Sequence, residues 1–225
     1  MPIEPLLFHQ ENQLELFLYD ADPLKELLSP ADYLGQLEPH ELQQAQNFTQ
    51  RFLGQQWLLQ RWLAKRAIAS YTEQSVESIR WQTTSTGKPV QPSCSLSVSH
   101  TGSVLAVLLG PSEYSLGIDC ESLEVSPLIQ EKALRLIRYF HPADQAHLYL
   151  ALETDCFVPT FLTLWTRSEA LYKLAGRESL AETLGKVALL DSPAAHNGMQ
   201  VDGIRTLGTD FRLPCLLSYA WSLRV

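Results

Sequence analysis

Between Glu41 and about Tyr71, apolar side chains return at steps of three and four: Phe48, Phe52, Leu58, Leu59, Trp62, Leu63, Ala67 and Ile68. No proline interrupts the run, and Gly54 is its one weak point. The period predicts a long amphipathic helix, or two abutting ones, with arginine and lysine gathered in the C-terminal half. Before it, Leu14-Glu15-Leu16-Phe17-Leu18 alternates, turns continuously apolar and ends at Tyr19-Asp20, as a strand does. Ser29-Pro30 is a helix start, with Ser29 as the cap and Pro30 in the first helical position. After the long helix, Ile79-Arg80-Trp81 opens a β-rich stretch. Thr86-Gly87-Lys88-Pro89 is a turn, and strands Leu96–Ser99 and Val104–Leu109 meet in a hairpin at Gly102.

Gly110-Pro111-Ser112 is the best boundary, and beyond it the order repeats: strand, helices, strands. Leu116–Cys120 is the strand. Phe140-His141-Pro142-Ala143-Asp144 is a helix start, with Asp144 favourable to the helix dipole. Pro159 precedes a helix from about Phe161 to Ala175 that stops at Gly176, and Val187–Leu190 and Leu216–Leu223 are strand candidates. Strand, helices and strands twice over predict two similar α+β lobes, residues 1–111 and 112–225, without a residue-level repeat.

Composition narrows the class. A chain of 225 residues with 45% hydrophobic side chains can bury a core without disulfides or a structural metal. No apolar run reaches the length of a membrane span, and Met1-Pro2-Ile3-Glu4-Pro5 lacks the basic start of a signal peptide. Cys94, Cys120, Cys156 and Cys215 are far apart, the pattern of reduced thiols in a cytoplasmic protein.

A net charge of −8 argues against bulk nucleic-acid binding. The charge is uneven: residues 51–110 carry six bases (Arg51, Arg61, Lys65, Arg66, Arg80, Lys88) against Glu73 and Glu77. A basic middle in an acidic chain either is chance unevenness or holds a small polyanion.

Asp119-Cys120-Glu121 ends a strand, so the two carboxylates face one side and Cys120 the other. They are a solvated strand end or ligands for Mg²⁺, which takes few carboxylates and keeps water and phosphate oxygens. Glu169 and Lys173 lie four apart on a helix, with Trp165 four before Glu169. This is a surface ion pair, or one face supplying a third carboxylate and a cation. Ser99-His100 is no nucleophile–base pair, because strand neighbours point to opposite faces and no nucleophile elbow surrounds Ser99. His100 is either structural or an anion donor. Gly87-Lys88-Pro89 lacks P-loop context. His9, His40, His141, His147 and His196 have no ligand-like spacing.

Taken in order, Gly87-Lys88-Pro89, Leu96-Ser97-Val98-Ser99-His100-Thr101, Gly117-Ile118-Asp119-Cys120-Glu121 and the run from Phe161 through Trp165, Glu169 and Lys173 to Gly176 resemble the Sfp-type 4′-phosphopantetheinyl transferases. The resemblance covers residues 87–176 and rests on the ordered set, since each motif alone is weak. It implies two pseudosymmetric lobes, each an antiparallel sheet packed with helices, with coenzyme A and Mg²⁺ in a cleft between them. It also implies transfer of the phosphopantetheine arm of coenzyme A to a serine of an apo acyl or peptidyl carrier protein, with release of adenosine 3′,5′-bisphosphate. The nucleophile then belongs to the partner.

By match to the motifs, Asp119, Glu121 and Glu169 hold Mg²⁺, Glu169 takes the serine proton, and Lys173 neutralises developing charge. Lys88 and His100, with Gly87 and Ser99, hold the nucleotide side of coenzyme A. Two positions depart from the pattern. Ser168, preceded by Arg167, stands where relatives have lysine; Gln56 stands where an arginine is expected. Arg51, Arg61 or Lys65 is left for the 3′-phosphate. The expected protein is a cytoplasmic monomer that binds neither membrane nor nucleic acid, and the alternative is a non-catalytic relative that binds coenzyme A or the carrier. Carriers of fatty-acid, polyketide, polyunsaturated-lipid and nonribosomal-peptide synthesis all fit.

Overall fold

The computed structural model describes residues 3–123, 127–176, 179–186, 188–190, 203–207 and 215–224. The chain is α+β, with antiparallel sheets and helices in each of two compact units, Met1–Ser112 and Glu113–Val225.

In the first unit, β1 (Leu7–Glu11), β2 (Leu14–Asp20), β5 (Ser95–Thr101) and β6 (Val104–Gly110) form an antiparallel sheet in the order β1-β2-β6-β5. The expected hairpin turns at Gly102, with Thr101 opposite Val104. A short β3–β4 ribbon (Gln82–Thr83, Pro89–Val90) stands apart. Helices α1 (Ala21–Leu27), α2 (Ala31–Leu34) and α3 (Pro39–Ala45) lead into α4 (Arg51–Thr72).

The long periodic run is therefore two helices. Asn47 and Thr49 lie in the break at residues 46–50, where side chains that compete for the backbone favour a turn. Gly54 lies inside α4; a Cβ there would stand 2.4 Å from the Ala45 carbonyl oxygen, so its absence lets α3 pack closely. Leu59, Leu63, Ala67 and Ile68 of α4 share a core with Phe17, Leu105, Val107 and Leu109 of the sheet. Pro30, not Ser29, takes the cap position of α2; Ser29 bonds Asp32 through both its amide (2.7 Å) and its hydroxyl (2.8 Å).

In the second unit, β7 (Tyr114–Ser122) pairs with β9 (Cys215–Leu223), which pairs with β8 (Gly203–Leu207), all antiparallel. Helix α7 (Phe157–Ala175) packs on β7 and β9 and ends at Gly176 in a left-handed conformation. Its Thr166 hydroxyl meets that of Ser218 on β9 at 2.7 Å, both fully buried. Helices α5 (Pro127–Leu136), α6 (Pro142–Ala151) and α8 (Leu180–Lys186) complete the unit. His141 caps α6, accepting from the Ala143 amide.

The expected strand Val187–Leu190 does not form over its described part. Leu189 and Leu190 lie in a turn, and Val187 is outside the described residues, as is His196. The cause is Asp144, read from sequence as a dipole partner. It is fully buried and accepts from the Leu189 amide (2.8 and 3.1 Å) and the Leu190 amide (3.1 Å). No helix among the described residues is long and apolar enough to cross a membrane.

Candidate functional site

Strand β7 and helix α7 bring together residues some fifty positions apart in sequence. Asp119, nearly buried, accepts from Lys173 Nζ at 2.8 Å, and the same ammonium donates to the Ile118 carbonyl at 3.0 Å. Two residues along β7, Glu121 accepts from the Trp165 indole Nε1 at 2.8 Å. The strand's two-residue period puts both acids on one face. The helix's four-residue step puts Trp165, Glu169 and Lys173 on one stripe, and here the two meet. Cys120, fully buried, faces the other way.

The site carries excess negative charge. Burial pushes the Glu121 carboxyl above its ordinary range and the charge of Asp119 adds to this, while Lys132, the Trp165 hydrogen bond and Lys173 pull it back. Glu169 is raised by burial first and by Asp119 next, against Lys173 and Lys132, with a further rise from Glu121. Among the described residues, the three carboxylates do not close to within 4.8 Å of one another.

Ser168 lies on the other side of α7. It is fully buried and donates to the Leu164 carbonyl at 2.7 Å. Arg167 does not replace a lysine there, because its guanidinium donates to the Leu189 carbonyl and faces Asp144. Sequence reasoning missed Lys132 of α5. Its ammonium sits 3.9 Å from the centroid of the Trp165 ring and 4.0 Å from Glu121 Oε1. No motif marks it.

The residues expected to hold phosphates are in the first unit. Gly87 has φ +83°, in a turn closed by its amide on the Thr84 carbonyl (3.0 Å) and by the Thr84 amide on the Lys88 carbonyl (2.8 Å). Lys88 follows it, half-buried. On β5, Ser99 is buried and His100 exposed, the opposite facing that a strand imposes.

The candidate 3′-phosphate cations do not converge. Arg51 is exposed at the start of α4. Arg61 stacks on Trp81 (3.6 Å to the ring centroid) with Nε 3.5 Å from Glu41, and burial lowers its pKa to about 10 against the pull of Glu41. Lys65 is fully buried, its Nζ 3.0 Å from Glu41 Oε2, which removes it from the open cations. Gln56 spans a different contact: its amide nitrogen donates to the Gly102 carbonyl, and its oxygen accepts from Lys25 Nζ at 3.0 Å. A cation from α1 thus stands beside the position where an arginine was expected.

One group of ligand-type side chains does close up among the described residues: Glu38, His40 and Glu41, with donor atoms within 4.8 Å. Its carboxylates are already engaged. Glu41 accepts from Lys65 and from the Glu38 amide (2.9 Å), and Glu38 accepts from the Trp81 amide (3.3 Å). That cluster starts a helix and neutralises a buried lysine. Comparison with protein-family models gives no match, and no curated protein matches the chain.

Proposed function

We propose that this chain is a 4′-phosphopantetheinyl transferase, moving the arm of coenzyme A to a serine of an apo acyl or peptidyl carrier protein. The observation that carries the reading is the 2.8 Å contact between Lys173 and Asp119. It joins the Gly-Ile-Asp-x-Glu segment to the Trp-x-x-x-Glu-x-x-x-Lys segment, two motifs recognised separately in the sequence. Two pseudosymmetric lobes belong to the same proposal.

The donor chemistry suits Mg²⁺: three carboxylates on two elements, with more negative charge than the nearby lysines offset. When bound by Asp119, Glu121 and Glu169, the ion supplies neutralising charge to the pyrophosphate. Glu169 takes the proton of the carrier serine as its oxygen bonds to phosphorus and the bond to the departing adenosine 3′,5′-bisphosphate breaks. Lys173 orients Asp119 and offsets charge on the phosphoryl oxygens. Lys88 and His100, with Gly87 in the turn before Lys88 and Ser99 beside His100 on β5, hold the nucleotide phosphates, and Arg51 or Arg61 contributes at the 3′-phosphate.

Incubation with coenzyme A, Mg²⁺ and a panel of apo carriers tests this by mass spectrometry. One carrier gains a phosphopantetheine arm as adenosine bisphosphate is released, and Glu169→Gln or Asp119→Asn abolishes the gain while the protein stays folded. Coenzyme A binding with no bisphosphate released from any carrier would make it a non-catalytic relative. Full activity of both variants would overturn the metal assignment.

A further inference from the structure

Lys173 is committed to β7 through Asp119 and the Ile118 carbonyl. Ser168 is buried and Arg167 turned to Leu189, so neither supplies a second cation at the carboxylates. Lys132 reaches the same place from α5, by a different route. Its ammonium rests on the Trp165 face, where the ring quadrupole attracts it. Among the described residues no acceptor takes a hydrogen bond from it, and Glu121 Oε1 lies at 4.0 Å, too far for one. The side chain is 44% exposed. Trp165 itself is fixed, stacked on Phe161 and donating to Glu121. The indole therefore holds one acid by its edge and one base by its face. An ammonium held by an aromatic face keeps the N–H donors on its open side for a ligand.

We propose that Lys132 is a substrate-binding residue for the pyrophosphate of coenzyme A. It rests on the functional reading above. Without coenzyme A its charge opposes a metal ion at Glu121; with coenzyme A bound it meets phosphate oxygen. Metal affinity and substrate affinity should therefore respond to its loss in opposite directions.

Lys132→Met tests this, because methionine keeps an apolar stem on Trp165 without the charge, and Lys132→Arg restores the charge. Calorimetric titration of the protein with Mn²⁺ alone, and with coenzyme A in saturating Mg²⁺, reads the two affinities. The methionine variant should bind Mn²⁺ several-fold more tightly and coenzyme A about 10- to 100-fold more weakly, the range of one charge-assisted hydrogen bond. The KM for coenzyme A should rise in step, and Lys132→Arg should recover most of the loss. An unchanged coenzyme A affinity, or a parallel fall in both affinities, overturns the proposal while leaving the functional reading standing. A parallel fall would make Lys132 merely a prop for Trp165. Failure of the unaltered protein to bind either ligand overturns both.

Discussion

Gly117 lies directly against the carbonyl of Ala170: a Cβ built on it would stand 1.8 Å from that oxygen and 2.7 Å from the Leu174 nitrogen. The backbones of β7 and α7 touch here, one residue from Glu169 and two from Asp119. Any side chain at 117 must push α7 away from the strand. Gly117→Ala should destabilise the fold by about 1–3 kcal/mol, as overpacking does, and lengthen the Lys173–Asp119 contact. Gly35→Ala is the control: φ is −66°, nothing lies within 4 Å, and the change should stay within about 0.5 kcal/mol. Equal unfolding midpoints for the two variants would refute the contact.

The raised carboxyls of Glu121 and Glu169 set a pH dependence with a definite sign. Between the ordinary carboxylate pKa and the raised one, the folded protein binds more protons than the unfolded chain. Stability contributed by these groups is therefore complete at low pH and lost as pH rises through the raised values. Glu121→Gln, which keeps an acceptor for Trp165, should raise the Tm of the metal-free protein at neutral pH by roughly 2–4 °C, equivalent to about 1 kcal/mol at this size. The gain should shrink as pH falls from neutral through the raised value and be gone below 4.5, the ordinary value for the group. A gain that grows on acidification would reverse the assignment.

The Lys65–Glu41 pair has both side chains essentially out of water. Breaking such a pair leaves an uncompensated charge, whereas neutralising both partners need not. Lys65→Met should cost about 3 kcal/mol in urea unfolding, and adding Glu41→Gln should return at least half of it. A silent Lys65→Met would mean that Arg61 alone satisfies Glu41.

Thiol chemistry separates the four cysteines. Cys156 is exposed at the start of α7, while Cys94, Cys120 and Cys215 are buried. Burial pushes the Cys94 thiol up to about 11 despite its hydrogen bond with Ser93. A hydrogen bond with Cys120 lowers Cys215, but without access that has no kinetic consequence. A thiol reagent at pH 8 should label one site quickly and the other three at least about a hundredfold more slowly, each waiting on local opening. Cys156→Ser should remove the fast phase.

Elements with a clear period or a hard stop were legible in the sequence: β2, the β5–β6 hairpin, β7, and the body of α7 with its end at Gly176, although α7 starts at Phe157 and takes Pro159 into its first turn, where proline is tolerated. Those without either were not. The strand Leu7–Glu11 has no alternation, and α1 carries Pro23 in its first turn, where proline is tolerated but looks like a break. The short apolar run at residues 187–190 has no periodicity of its own, and a buried carboxylate 45 positions away decides the turn at its end. At the site, the two motifs and their facing followed from periods of two and four. The partner of Trp165 did not, because a lysine 33 positions upstream on another helix acquires meaning only through packing.

The four-residue stripe on α7 also determines which kinds of sequence change the site can absorb. Trp165, Glu169 and Lys173 share one azimuth, while Leu164, Ser168 and Leu171 are buried on another. Substitution at a buried position perturbs the site only through shape. Deleting one residue between Trp165 and Glu169 would turn everything beyond it by about 100°, carrying Glu169 and Lys173 off the stripe and placing apolar residues opposite Asp119. The reactive stripe is thus tolerant of point changes around it and intolerant of length changes within it, so α7 can be varied by exchange but not by insertion.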